Sequence, residues 1–140
     1  PKANKRMQRQ FIKRQVNKTY IADVVGSLEA NEGIISLPLA PDYYDLPRQM
    51  VCHKTGKPSE TKWSVVARNK GTTRLAMKPV TGRTHQLRVH CAHPEGLGLP
   101  MVGDELYGVI GERLHLHAHK LEFQHPTTKE LITITAPIPF

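Results

Sequence analysis

The 140 residues, at 15.8 kDa, are the length of one domain with a sizeable core. Hydrophobic residues make up 39% and charged residues 23%, which excludes a disordered chain, and no apolar run approaches the ~20 residues of a membrane span. Cys52 and Cys91 are too few for a disulfide framework or a metal knuckle. We therefore predict a cytoplasmic protein whose two thiols are reduced and packed as small hydrophobic groups.

The net charge of +8 is concentrated at the start of the chain. Seven lysines and arginines and no acidic residue occur between Pro1 and Ala22, whereas the remainder carries 13 basic and 12 acidic residues. A basic patch favours a polyanionic partner, most often nucleic acid, although a solvated helix face would show the same charge. Because the chain starts at Pro1 and not at a methionine, we interpret it as a fragment of a longer protein.

The first half of the chain predicts one helix and then short strands. Over residues 4–16 the apolar positions recur at helical spacing. Residues 18–26 alternate instead, with Tyr20, Ala22 and Val24 on one face, which predicts a strand. Two further strands are predicted over Gly33–Leu39 and Gln49–His53.

The second half predicts a hairpin, a short helix and a final strand pair. Asn69, Lys70 and Gly71 supply the turn of the hairpin. Mostly antiparallel strands with two or three helices place the fold in the α+β class, as one domain without an internal boundary. The predicted elements are a hairpin of Glu60–Arg68 and Thr73–Val80, a helix over Arg83–Cys91, and strands over Leu114–Phe123 and Leu131–Ala136.

Three histidines alternate along the last strand pair. His115, His117 and His119 would project from one face, and three imidazoles on one face can bind Zn²⁺ when a fourth ligand is supplied. No carboxylate or cysteine stands at a recognisable partner spacing, so we do not predict a metal site. Packing against RNA or against the core is the alternative role.

Residues 81–90 hold the densest group of hydrogen-bond donors in the chain, Thr-Gly-Arg-Thr-His-Gln-Leu-Arg-Val-His. Only Leu87 and Val89 offer apolar side chains, so a plain amphipathic helix is a poor interpretation. We expect this helix to position donors, and its first turn to offer free backbone N–H groups to a phosphate. The donors are Arg83, His85, Gln86, Arg88 and His90.

These motifs resemble those of the RluA-type pseudouridine synthases. After the run at residues 81–90 comes Leu-Pro-Met-Val-Gly-Asp-Glu-Leu-Tyr-Gly from Leu99, and then Arg113-Leu-His-Leu-His-Ala118. Lys18-Thr-Tyr-Ile-Ala22 is similar to the family's Lys-x-Tyr-x-Ala strand. The similarity covers nearly the whole chain.

The resemblance implies an α+β core with a cleft for a flipped uridine, and the isomerisation of uridine to pseudouridine in ribosomal or transfer RNA. It also implies a monomer that needs no cofactor and no metal. The family's nucleophilic Asp stands in an Arg-Leu-Asp-x-x-Thr-Ser-Gly motif, which these 140 residues lack. We therefore expect the chain to be the C-terminal portion of a catalytic domain, inactive by itself.

Two catalytic positions carry over from the resemblance. Arg88 matches the arginine that would hold the catalytic Asp ionised and oriented. Tyr20 matches the tyrosine that would pack on the flipped uracil and assist a proton transfer. The residues expected to contact RNA are Arg83, His85, Lys78, Lys5, Arg6, Arg9 and Lys13.

A non-catalytic RNA-binding module remains the alternative function. The missing nucleophile motif favours it if the chain is a natural stand-alone product. The reading frame upstream of Pro1 distinguishes the two, because only an enzyme requires the Arg-Leu-Asp motif there.

Overall fold

The computed structural model describes residues 16–140 and confirms the α+β class, with one helix in that range. The helix predicted over residues 4–16, and with it Lys5, Arg6, Arg9 and Lys13, falls outside the described residues apart from Val16. The elements are β1 Asn17–Val25, β2 Glu32–Ser36, β3 Leu39–Pro41, β4 Gln49–Val51, β5 Glu60–Asn69, β6 Thr72–Pro79, α1 Gln86–Ala92, β7 Leu116–Gln124 and β8 Leu131–Thr135.

Six strands form one antiparallel sheet in the order β2-β5-β6-β1-β7-β8, and β3 and β4 form a separate ribbon. The strand predicted over Gly33–Leu39 is therefore two strands. The break falls at Pro38, which has no N–H to donate to a ladder. On its two sides, Leu37 donates to the Ser59 carbonyl and Leu39 to the Lys57 carbonyl, so the chain leaves the sheet for the ribbon here.

The core lies on the face of the sheet that helix α1 covers. Alternation along β1 and β6 buries Ala22, Val24, Leu75 and Met77 completely. Trp63 of β5 and Leu87 of α1 pack into the same cluster. The predicted alternation of β1 is thus confirmed, and it places Tyr20, opposite Met77, at the border of this core.

The opposite face of β1 carries an ion pair. Asp23 accepts two hydrogen bonds from Arg74, from Nε at 2.9 Å and Nη2 at 3.1 Å. His115 Nδ1 lies 3.0 Å from the same carboxylate, and its ring stacks on Phe140 at 4.4 Å. The hydrogen bonds of Arg74 and His115 outweigh the effect of burial and lower the pKa of Asp23.

The three histidines contact two different partners. His115 contacts Asp23, whereas His117 Nε2 and His119 Nδ1 lie 3.2 and 2.7 Å from the Ala136 carbonyl. His119 is the extra residue of a bulge where β7 pairs with β1. Within residues 16–140, no group of three or more histidine, cysteine or carboxylate side chains is placed to hold a metal ion.

Both cysteines are free. Cys91 is completely buried, with its sulfur 3.6 Å from that of Met77, which confirms the predicted packing role. Cys52 is only half-buried and lies 3.2 Å from the Thr55 hydroxyl. Across residues 16–140, the structure contains no helix of the length and apolar character that a bilayer crossing requires.

Candidate functional site

A cleft of about 640 Å³ opens where β1, the end of β6 and the start of helix α1 meet. It brings together four residues predicted from the sequence, and Leu87, Leu114 and Leu116 supply apolar walls. The volume is that of a small-ligand pocket, within the range of about 300–1,000 Å³. The predicted catalytic and RNA-contacting residues that line it are Tyr20, Arg83, His85 and Arg88, and the predicted donor Gln86 lines it as well.

Lys78 is not among the residues that line the cleft. It follows Met77, whose side chain faces the core, so alternation places Lys78 on the other face of the sheet. There it lies opposite Lys62 and borders a separate depression beside Trp63. The structure therefore separates Lys78 from the four residues of the cleft.

Helix α1 begins at Gln86, three residues later than predicted. His85 has φ +54°, in the left-handed region, so the helical conformation cannot extend back to Arg83. The predicted helix start at Arg83 is wrong, and the Arg83 N–H donates to Gln86 Oε1 at 3.1 Å. The phosphate site expected at the helix N-terminus stays a prediction, since no side chain caps the first turn of the seven-residue helix and no acidic residue lies in it.

The Gln86 side chain ties the start of the helix to the sheet. Its Nε2 donates to the Glu60 carbonyl and to Thr61 Oγ1, both at 2.9 Å. Its Oε1 accepts from the Thr81 hydroxyl at 2.6 Å. Gln86 is buried and also lines the cleft, and the hydrogen bonds of its side chain all go to the scaffold.

Arg88 makes a two-point ion pair with Asp104. Nη2 donates to Oδ1 at 2.6 Å and Nε to Oδ2 at 3.1 Å. The Asp104 side chain is 0% exposed and that of Arg88 16%. Burial alone would raise the pKa of Asp104, but the hydrogen bond from Arg88 and those from the backbone of Tyr107 and Leu106 lower it. The carboxylate is therefore ionised at neutral pH.

Tyr107 joins Arg88 to His85. Its ring lies 5.3 Å from the Arg88 guanidinium carbon, and its hydroxyl accepts the Gln49 N–H at 2.8 Å. His85 Nδ1 lies 2.8 Å from the same hydroxyl. Burial and the positive charge of Arg88 lower the pKa of His85, so the ring is neutral at neutral pH. Tyr107 then donates to Nδ1, and Nε2 carries the ring proton.

His90 fastens the far side of helix α1 to the sheet. Its Nε2 donates to the Leu37 carbonyl at 3.0 Å, and its Nδ1 accepts from the Thr61 hydroxyl at 2.8 Å. The residue is 0% exposed, and burial lowers its pKa. A second ring proton would meet the hydroxyl that now donates to Nδ1, so His90 is a neutral structural group and not a cleft donor.

We expect acid to destabilise the fold through His90. The unfolded chain takes up a proton near the ordinary histidine pKa of about 6.5, whereas the folded chain does so only at the lowered pKa. Stability is thus fully present above about pH 6.5 and is lost as the pH falls toward the folded pKa. His85, whose pKa is also lowered, contributes in the same direction.

Urea unfolding between about pH 7 and pH 5 checks this expectation. His90→Gln should reduce the fall in the unfolding midpoint over that interval. An identical fall in wild type and His90→Gln would contradict the assignment.

Asp104 and Tyr107 are the site residues that sequence analysis missed. The prediction placed the partner of Arg88 upstream of the chain, yet Asp104 occupies two donors of that guanidinium. One signal was available, because aspartate often accepts backbone N–H groups two and three residues later in a turn. Asp104 does so with Leu106 and Tyr107, at 3.1 and 3.2 Å.

Two curated relatives from bacteria resemble nearly the whole chain. The dual-specificity RNA pseudouridine synthase RluA of Pasteurella multocida is 42% identical over 144 residues, covering 99% of this chain and 64% of that protein. The protein of the same name from Escherichia coli (strain K12) is 40% identical with the same coverage. The chain therefore spans less than two thirds of the length of these relatives.

Solved structures show the same fold. Human RNA pseudouridylate synthase domain containing 1 superposes with a TM-score of 0.81 and 32% identity, over 95% of this chain and 59% of that one. Human RNA pseudouridylate synthase domain containing 4 superposes with a TM-score of 0.73 and 22% identity, over 96% of this chain and 62% of that one. This similarity supports the fold alone. The sequence model of the RNA pseudouridylate synthase family matches residues 1–93. The motif resemblance is confirmed, and the chain belongs to the RNA pseudouridylate synthase family.

Proposed function

We propose that this chain is the C-terminal portion of a pseudouridine synthase that isomerises uridine in ribosomal RNA, transfer RNA or both. The two RluA relatives are named as dual-specificity RNA pseudouridine synthases, and the chain matches 64% of their length. The proposal places the nucleophilic Asp in the remaining part, and takes the protein to be a cytoplasmic monomer that needs neither metal nor cofactor.

One observation carries the proposal: the cleft combines an aromatic hydroxyl with a guanidinium that is already held in place. Tyr20 and Arg88 line the same cavity from different elements, β1 and α1. Asp104 occupies Nε and Nη2 of Arg88, and among residues 16–140 no hydrogen bond takes Nη1. A carboxylate entering the cleft would find this donor unused.

In the proposed reaction, the upstream Asp acts on the target nucleotide beside Arg88. The guanidinium keeps that carboxylate ionised and oriented through a charge-assisted hydrogen bond. The Tyr20 ring packs on the flipped uracil, offsetting the few kcal/mol that unstacking costs, and its hydroxyl assists the proton transfer that completes isomerisation. The N-glycosidic bond breaks, the base rotates, and carbon replaces nitrogen in the new bond to ribose.

RNA phosphates are proposed to contact basic groups around the cleft. Arg83 is at its rim, with Nε 3.1 Å from the Pro58 carbonyl, and His85 can donate from Nε2. Lys5, Arg6, Arg9 and Lys13, which lie outside the described residues, are proposed as further phosphate contacts. Lys78 would contact RNA only if the bound RNA also extends to the other face of the sheet. Such contacts supply affinity without reading sequence.

The proposal is tested by adding the upstream reading frame and measuring tritium release from RNA labelled at uridine C5. The extended protein, containing Arg-Leu-Asp-x-x-Thr-Ser-Gly, should release tritium, and the 140-residue chain should not. Release by the chain alone would show that the nucleophile is misassigned. An extended protein that binds RNA without release would favour the non-catalytic RNA-binding module.

A further inference from the structure

We propose that Asp104 is the positioning residue for Arg88, and that its carboxylate fixes which edge of the guanidinium faces the cleft. The inference rests on the proposed function, because it assigns Arg88 to the reaction. It goes further by assigning a role to a carboxylate other than the proposed catalytic Asp. Asp104, which lies within the described residues, orients the arginine without touching substrate.

Asp104 is itself held rigidly. It is completely buried, and its Oδ1 accepts the backbone N–H groups of Leu106 and Tyr107 in addition to the bond from Arg88. Its own N–H donates to the Met101 carbonyl at 3.2 Å, and Met101 is part of the hydrophobic core. The carboxylate therefore occupies a fixed position relative to the sheet that carries Tyr20.

Arg88 is restrained on one edge and one face. Asp104 takes the Nε–Nη2 edge, and the Tyr107 ring lies 5.3 Å from the guanidinium carbon. The free donor edge is then Nη1, on a side chain that lines the cleft. A catalytic group held by such second contacts keeps its orientation when substrate enters, and a displacement of 1 Å in such a group costs about 100-fold in rate.

A buried ion pair is weak evidence for a stabilising role. The cost of removing both charges from water can exceed their attraction, so hydrophobic replacements of such pairs are often neutral or stabilising. RNA affinity is spread over many phosphate contacts, of which this one guanidinium is a small part. A loss of Asp104 should therefore change turnover far more than RNA affinity.

The Asp23–Arg74 pair provides a matched control. It uses the same Nε and Nη2 edge at 2.9 and 3.1 Å, but it lies on the other face of β1, away from the cleft. Asp23→Asn and Asp104→Asn each remove one carboxylate charge from a two-point contact with an arginine, and Asp23 has His115 as a further partner. A general effect of losing a buried ion pair should appear equally in both variants.

In the extended protein, Asp104→Asn should lower kcat about 100-fold and leave the Kd for RNA within about twofold of wild type. Asp23→Asn should leave kcat unchanged. An unchanged kcat in Asp104→Asn, or equal losses in both variants, would overturn the proposal. If Asp104→Asn does not fold, Asp104→Glu keeps the charge but shifts it by one methylene, and it should show the same loss of kcat with RNA affinity preserved.

A second measurement does not depend on turnover. In ¹⁵N-labelled protein, the Arg88 Nε–H signal should be ordered in wild type and become mobile in Asp104→Asn, while the Arg74 signal stays unchanged. Unchanged order at Arg88 Nε would overturn the positioning role. If wild type shows this order but no turnover, the proposed function fails while the role of Asp104 in orienting Arg88 stands.

Discussion

Replacing Arg88 by alanine in the extended protein is expected to abolish pseudouridine formation while RNA binding survives. The variant leaves the incoming catalytic carboxylate without its donor, so that group protonates or turns away and the chemical step fails. Binding should persist because it is spread over many phosphate contacts. Filter binding and tritium release, measured on the same preparation, separate the two effects.

Arg88→Ala also leaves Asp104 buried and unpaired, which costs about 3–5 kcal/mol of stability. The double variant Arg88→Ala, Asp104→Asn removes that stranded charge and should recover much of the lost stability. Activity should remain absent in the double variant. Recovery of activity together with stability would show that Arg88 acts only through folding.

Tyr20→Phe should fail at a different step. The ring remains to pack on the flipped base, but the hydroxyl that assists proton transfer is lost, so an early covalent complex should form and not be released. With RNA containing 5-fluorouridine, a denaturing gel should show a trapped adduct for Tyr20→Phe and little or none for Arg88→Ala. The reverse pattern would make Arg88 a phosphate anchor and Tyr20 the essential partner of the catalytic Asp.

The second large effect is expected at Gly103, in the turn that carries Asp104. Gly103 has φ +75°, and a Cβ there would overlap the backbone carbonyl of Arg113. Gly71 has φ +79°, but a Cβ there meets nothing within 4 Å. The two glycines share a positive φ and differ in the space beside them.

Gly71→Ala should therefore cost the left-handed conformation alone, about 1–2 kcal/mol in the free energy of unfolding. Gly103→Ala should cost clearly more, about 3 kcal/mol or above, because the backbone of Arg113 must move as well. Urea unfolding of both variants measures the difference. Equal losses of stability would mean that the Arg113 backbone can move away from residue 103 at little cost in free energy.

The strands were predictable because alternation along β1 and β6 is unambiguous, and the alternation of β1 by itself groups Tyr20 with Ala22 and Val24 on one face. The start of the helix was not, because nothing local marks the left-handed conformation of His85. Lys78 shows a further limit of prediction from sequence. Alternation places Lys78 and Met77 on opposite faces of the sheet, but only the pairing of Met77 with Tyr20 shows which of these faces borders the cleft.

The ion pair at the centre of the site was also out of reach of the sequence. Asp104 and Arg88 are 16 residues apart, joined by a turn whose path depends on Gly103 and on the fit of Met101 into the core. The family motifs point to an aspartate upstream of the chain, and only the fold shows that another one already contacts this arginine. Buried charge partners across a long turn are set by packing, which residue spacing does not encode.

Under the proposed function, the central place of β1 determines which parts of the site would stay rigid when RNA binds. β1 is bonded to strands on both sides, so its backbone amides should exchange with solvent only through openings close to global unfolding. The segment over residues 42–48 lies at the other extreme: Tyr43 and Tyr44 are 78% and 103% exposed, and Arg48 joins it to Leu106 next to the Asp104 turn. Accommodation of differently shaped loops would then fall to this segment, while Tyr20 stays in place for every substrate.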